Sequence, residues 1–440
     1  MSMLEALNRT FLLCRDGDVI GKNTVTDDDL VAAFRDTRVV LVADKANLSA
    51  ASGQHALVAL FNLAARLGVS VSLAMPDVPI RGFQPPLRGS SLLEGLLDLG
   101  ADLIPECMAT EASPDGPADI ALVLGDSSWS GGAEMAIRLT GTEWAGTTCP
   151  AHEEAGRWTG DFPVGALVAA GIAAPEVYKL VMRRLGNRLP LPLGAAMAPV
   201  ERASVRVASG DTRTTALDLG DVDFVSGGAI TNSALLTLLH LPDVALAARV
   251  IEPEAIDLSN LNRYTLARLS DENAHKVQVL AAWQRPGVQI EGVPLRYCAE
   301  TRDRILPFSP HVMVGTDSIP ARWEVQREWP KWMSVGATSH FLTITSSHEP
   351  GQSCAGCLHP QDDPDTRAIP TVGFVSYWAG LLLAVRLLRH VAGRPHPLAE
   401  QHVYSVPLQL SRKHAFWPMP VARRDNCPVS CLTQGQATGT

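Results

Sequence analysis

The chain begins MSMLEALNRT, with no basic cluster followed by an apolar stretch, so no export leader is visible. No apolar run reaches the roughly 20 residues of a typical membrane span. The nearest, Ile369 to Val385, contains Pro370 and Gly373 and runs into Arg386, so it reads as a buried core helix. Positive charge is in short supply: 37 Lys and Arg face 46 Asp and Glu, for a net charge of −9. That argues against a basic face for nucleic acid. A G-x-G-x-x-G turn is also missing. The expectation is a cytoplasmic protein with neither nucleic acid nor membrane as partner.

What is present is a chain of 440 residues, 46% hydrophobic and 19% charged, long enough for two or three domains. The first half reads α/β. Arg38 to Ala43 is a β-branched run that suits a buried parallel strand, Gly53 to Leu67 has helical spacing, and Val69 to Ala74 alternates like a second strand. A further strand ends at Gly125-Asp126, and a long Ala-rich helix starts near Phe162. The second half repeats this order. Strands are expected at Val222 to Val225, Ala247 to Ile251 and Val312 to Thr316, and a long helix follows PTVG. Duplication of a nucleotide-binding α/β domain explains the parallel. The expected division is 1–190, a linker at 191–214 rich in proline, and 215–440.

The second half carries the chemistry. In FVSGGAITN a strand enters a Gly-containing turn and then a helix, whose free amides attract phosphate. Ser226, Gly228 and Thr231 give S-x-G-x-x-T. Glu252 ends the next strand, where an acid can accept hydrogen bonds from ribose hydroxyls. SNLNRY, with Asn260, Arg263 and Tyr264, comes next, then Lys276, then Asp317 after a later strand.

This order resembles the ThiF and ubiquitin-activating superfamily. Its members have a Gly-rich loop, a D-x-D strand end, an SNLNRQ-like segment, a Lys on the next helix and an Asp closing a later strand. Here the matching pieces are SGGAIT, Glu252-Pro-Glu254, SNLNRY, Lys276 and TDSIPARW with Asp317 and Arg322. The resemblance implies two Rossmann-like ThiF-type domains in a pseudo-two-fold arrangement, the first inactive. It implies ATP-dependent adenylation of the C-terminal carboxylate of a ubiquitin-like protein, for transfer to a thiol or a conjugating enzyme. The ATP-site residues it implies are Ser226, Gly228, Glu252, Asn260, Arg263, Lys276 and Asp317. Arg263 and Lys276 would neutralise charge building on the phosphates, Asn260 would orient them, and Asp317 would hold Mg²⁺. Arg9 would reach in from the partner domain. Three departures stand out: Ser226 and Thr231 where glycines are usual, Glu252 for Asp, and Tyr264 for Gln.

Of eight cysteines, four form two tight pairs, Cys354 with Cys357 and Cys427 with Cys431. Four thiolates in two knuckles suit a structural Zn²⁺, and the superfamily often carries one. The alternative is four unliganded thiols. In the family, the thiol that accepts the acyl group lies in the crossover before the last helix; here residues 358–373 contain no cysteine. Cys14, Cys107, Cys149 and Cys298 all read as buried inert thiols, although Cys149 looks loop-like; the other reading is that Cys149 or a zinc-pair cysteine serves as the thiol. The expected enzyme therefore adenylates without a resident thiol and is a compact, bacterial-type version of the family. Two alternatives stay open: a peptide-modifying adenylase of a natural-product pathway, and a non-catalytic scaffold that binds a partner tail.

Overall fold

The computed structural model describes residues 2–431 apart from 22, 114–115, 190, 209–216, 363–368, 394–400 and 411–414. Two sheets organise the chain. The first contains β1 (Arg38–Val42), β2 (Ser70–Ala74), β3 (Thr110–Glu111), β4 (Ile120–Leu124), β5 (Met135–Gly141), β6 (Ala145–Pro150) and β7 (Ala203–Arg206), in the order β3-β2-β1-β4-β5-β6-β7. The second contains β8 (Leu217–Val225), β9 (Val244–Ile251), β10 (Val288–Val293), β11 (His311–Val314), β12 (Trp332–Ser339), β13 (Leu342–His348), β14 (His402–Ser405) and β15 (Trp417–Met419), in the order β10-β9-β8-β11-β12-β13-β14-β15. In both, the central strands are parallel and the later ones antiparallel. The two Rossmann-like halves expected from the sequence are there.

Burial explains the strand composition. Every residue of β4 is buried, because helices cover both faces of a parallel sheet. Helical crossovers through Ala51–Ala65 and Ala229–His240 join the parallel strands β1 to β2 and β8 to β9. Strand order reverses between β1 and β4, and again between β8 and β11. Ligands of such sheets bind beyond the carboxyl ends of the strands at that reversal.

The halves are joined by their longest helices, Val164–Arg188 and Gly373–Val391. Both are long and apolar enough to cross a membrane by composition, and both are mostly buried within the protein. Tyr377 Oη donates to Leu167 O at 2.9 Å and Trp378 Nε1 to Gly171 O at 2.9 Å. Glycine permits that approach, since a Cβ at position 171 would lie 3.0 Å from Trp378 Nε1. Arg66, wholly buried, donates to Leu261 O and Ala267 O, both at 2.6 Å, and so fixes the SNLNRYTLA segment to the first half. Burial pushes the Arg66 pKa down to about 9, which leaves it charged at neutral pH.

The stretch read as a linker, 191–214, behaves differently. Ala203–Arg206 within it forms β7, which pairs with β6 and closes the first sheet. Ala203 and Val205 point into the core while Arg206 is exposed, an alternation too short to stand out among the prolines. Residues 209–214 of the same stretch lie outside the described residues.

Candidate active site

The carboxyl ends of β8, β9 and β11, with the loop after β10, surround an open cavity of about 940 Å³. Its wall includes Ser226, Gly228, Glu252, Arg263, Lys276 and Asp317, and the first half contributes Arg9. Seven of the eight residues expected at the nucleotide site therefore converge; the eighth, Asn260, is not on the wall. Asn260 instead completes a capping box: its Oδ1 accepts from Asp257 N at 3.0 Å, while Asp257 accepts from Ser259 N at 2.9 Å. That spacing, D-x-x-N before a turn, could have been read as a cap from the sequence.

The glycine loop, expected to be the phosphate loop, is tied internally. Ser226 has φ +88°, the left-handed region that favours glycine. Its Oγ accepts from Gly228 N at 3.1 Å, and Thr231 Oγ1 donates to Ser226 O at 2.6 Å. Glu252 binds the loop as well: Oε2 accepts from Gly227 N at 2.9 Å and Oε1 from Glu254 N at 3.1 Å. Gly228 caps the Ala229–His240 helix without a side-chain bond, which leaves first-turn amides facing the cavity.

Three cations line the same cavity as this loop. Lys276 Nζ sits 2.6 Å from Glu254 Oε2 and 4.0 Å from Glu252 Oε1. Burial works against its charge, but Tyr264, Glu252 and Glu254 outweigh burial and hold its pKa above the ordinary lysine value. Arg263 is aimed by its own turn, with Nη1 donating to Ser259 O at 2.5 Å and to Asn262 Oδ1 at 2.8 Å. Burial depresses its pKa, although an arginine stays protonated. Arg9 lies on the Asn8–Cys14 helix. Its carbonyl accepts from Thr371 N at 3.2 Å, and the adjacent Thr10 Oγ1 accepts from Asn262 Nδ2 at 2.9 Å. The first half thus delivers its arginine through contacts to the SNLNRY turn and to the start of the last long helix. Asp317 is exposed on the cavity wall just past β11. Behind it, buried Arg322 donates to Thr316 O at 3.0 and 2.8 Å.

The matching place in the first half is filled. Asn47, fully buried, donates through Nδ2 to Asp44 Oδ1 (3.0 Å), Asp126 Oδ1 (2.8 Å) and Ser127 Oγ (3.1 Å). Its Oδ1 accepts from Trp158 N at 3.0 Å. Arg157 pairs with Asp126 at 3.0 Å. The side chain packs against Gly125 in the turn after β4, and Asp126, which follows that strand as Asp317 follows β11, is paired within the first half.

The four paired cysteines meet. Cys354 and Cys427 sulfurs are 3.3 Å apart, as are those of Cys357 and Cys431, and all four lie within 4.8 Å of one another. Tetrahedral ligands with bonds of about 2.3 Å have edges of roughly 3.8 Å, so a zinc ion fits this donor set. The cluster braces the Ile319–Arg327 helix beside Asp317: Ala355 N donates to Gln326 Oε1 at 3.1 Å and Arg327 Nη2 to Pro428 O at 2.7 Å.

Cys298 differs from the reading of it as core. It follows β10 in a loop, is half-buried, and lines the cavity beside Arg296, Tyr297 and Ala299. Pro294 ends the strand because it has no N–H to donate. The signal was available, since this loop leaves a strand at the carboxyl edge near the reversal of strand order. Cys149 is buried as expected, but it lies in β6 and not in a loop. Cys14 is likewise buried, and desolvation pushes its thiol up to about 12. Cys107 is half-buried, raised to about 11 by the same cause. Residues 363–368 of the crossover lie outside the described residues.

The reversal point, the glycine turn, the end-of-strand acid and the converging cations define an α/β domain with a candidate nucleotide site. Residues 248–429 match the ThiF family model, and residues 38–188 match the BilD N-terminal domain. The Sinorhizobium fredii protein y4jF is 27% identical over 204 residues, which is 45% of this chain and 38% of y4jF. The fold is also similar to Escherichia coli MccB with ATP, at TM-score 0.41 and 16% identity over 48% of this chain and 65% of MccB. MccB with MccA gives 0.40 and 15%, over 48% and 66%. The chain spans less than two thirds of the length of each of these relatives.

Proposed function

We propose that the chain uses ATP to adenylate the C-terminal carboxylate of a polypeptide partner, releasing pyrophosphate. The observation that carries this reading is the convergence of Arg263, Lys276, Asp317 and Glu252 on one cavity, with Arg9 supplied by an otherwise inert half. The carboxylate attacks the α-phosphorus, the bond to the bridging oxygen breaks, and charge develops on the pyrophosphate. Arg263, Lys276 and Arg9 neutralise that charge in place; removing one such group typically costs about 10²–10³ in kcat. Glu252 holds the phosphate loop and offers its carboxylate to the ribose. Asp317 would hold Mg²⁺, which supplies charge neutralisation at the phosphates. Cys354, Cys357, Cys427 and Cys431 would hold a structural zinc.

Two partner classes fit. A peptide-modifying adenylase of a natural-product pathway is favoured by the thiols: residues 358–373 have none, and among the described residues only Cys298 lies on the cavity wall. A ubiquitin-like protein working with a conjugating enzyme is favoured by the fusion of an inert and a reactive half. A cytoplasmic location accompanies either reading, because four closely spaced cysteines that form no disulfide suit a reducing compartment. The test is pyrophosphate–ATP exchange with each partner class. Exchange that needs a free C-terminal carboxylate supports adenylation and names the class. ATP binding without exchange for any partner would leave a scaffold.

A further inference from the structure

We propose that Tyr264 is the positioning residue that sets the spacing of Arg263 and Lys276 along the triphosphate. The inference rests on the adenylation reading above. Arg263 Cζ lies 5.4 Å from the Tyr264 ring centroid and Lys276 Nζ lies 5.5 Å from it, both within the roughly 6 Å reach of a cation–π contact. One ring therefore serves two cations that must face the same polyanion.

The ring is held. Tyr264 is only 4% exposed. Its N–H donates to Asn260 O at 3.0 Å, and its carbonyl accepts from Ala267 N at 3.1 Å. Its hydroxyl stands 3.7 Å from where a Cβ on Gly228 would be, so the side chain bridges the SNLNRY turn and the phosphate loop. Neither cation can shift along its stem without losing the face of a ring that cannot follow.

The ring also solves a problem that a carboxylate cannot. Glu254 is the closest anion to Lys276, but it is 58% exposed and shares the sign of the triphosphate. When nucleotide enters, that ion pair competes with the phosphates for Lys276. The aromatic contact carries no net charge and persists through binding. Its quadrupole also offsets part of the repulsion between the two cations. Glutamine, the residue usual at this place in SNLNRQ-like segments, has no such face.

The test places phenylalanine and its mono-, di- and trifluoro analogues at position 264 of the full chain. These rings keep their shape while the negative potential of the face is withdrawn stepwise, so folding is preserved. Affinity for Mg-ATP is measured by calorimetry, with AMP as the control nucleotide. Phenylalanine should bind Mg-ATP within threefold of wild type. Affinity should then fall with each fluorine, to about tenfold at trifluorophenylalanine. AMP affinity should stay flat, because AMP lacks the phosphates that both cations span. Tyr264→Leu should lose at least as much Mg-ATP affinity as the trifluoro chain. A flat fluorine series in a chain that binds Mg-ATP would overturn the inference alone, and so would an equal loss for AMP, which marks a merely structural ring. A wild-type chain that fails to bind Mg-ATP would sink the adenylation reading and this inference with it.

Discussion

Replacing Asn47 with alanine should loosen the first half and leave the chemistry untouched. The side chain is fully buried and links Asp44, Asp126 and Ser127 through Nδ2, and Trp158 N through Oδ1. Truncation leaves the buried Trp158 N–H without an acceptor, a cost of about 1–3 kcal/mol. Asp126 keeps Arg157 and meets water, so its lost bond costs about 1 kcal/mol more. The sum, about 3 kcal/mol, should move the guanidinium midpoint of the first half down by roughly half to one molar. Asn47→Asp is the informative control. It keeps the acceptor for Trp158 N but sets a third carboxylate beside Asp44 and Asp126, so it should be no more stable than the alanine variant. Pyrophosphate exchange, measured well below either midpoint, should stay within twofold of wild type. A loss of stability under about 1 kcal/mol would refute the idea that Asn47 fills the inert site. A more than tenfold fall in exchange with stability intact would show that the first half's site takes part in the reaction.

Ser226 holds φ +88°, a strain of about 1–2 kcal/mol for a residue with a Cβ. Ser226→Gly should therefore match wild type within about 1 kcal/mol, relief of strain offsetting the lost hydroxyl, whereas Ser226→Ala keeps the strain and should fall about 2 kcal/mol lower; equal denaturant midpoints for the two variants would remove the strain argument. Zinc analysis should find one ion per chain, and Cys354→Ser should abolish it and lower the thermal midpoint; a chain purified gently from zinc-containing medium with no zinc would contradict the four-thiol site. His240 is buried, and desolvation drops its pKa to about 4. The unfolded chain takes up this proton below about pH 6.5 and the folded chain does not, so stability is lost as pH falls from 6.5 towards 4, by on the order of 3 kcal/mol. Stability–pH curves should show a shallower acid slope in His240→Gln, and an unchanged slope would exclude this residue as a source.

The sequence made the outline readable because burial writes itself into composition. The apolar run at β1 and the apolar helices after PVG and PTVG marked the two halves, and SNLNRY and the cysteine pairs marked the site. What it hid depends on backbone geometry that no periodicity records. Asn47 sits in a loop, DKANLSAASG, with nothing to show that its side chain folds back into the turn. Cys298 read as part of a strand because YC follows PLR, yet Pro294 had already ended it. Asn260 carried a cap signature that the resemblance overrode. β7 was lost because four residues are too few for a pattern.

The most direct test is pyrophosphate–ATP exchange in wild type and in Asp317→Ala, with a candidate peptide or ubiquitin-like partner bearing a free or an amidated C-terminus. Adenylation at this cavity requires exchange only with the free carboxylate, and a loss of at least a hundredfold in Asp317→Ala with the fold intact. Exchange that ignores the carboxylate, or that survives in Asp317→Ala, would contradict it.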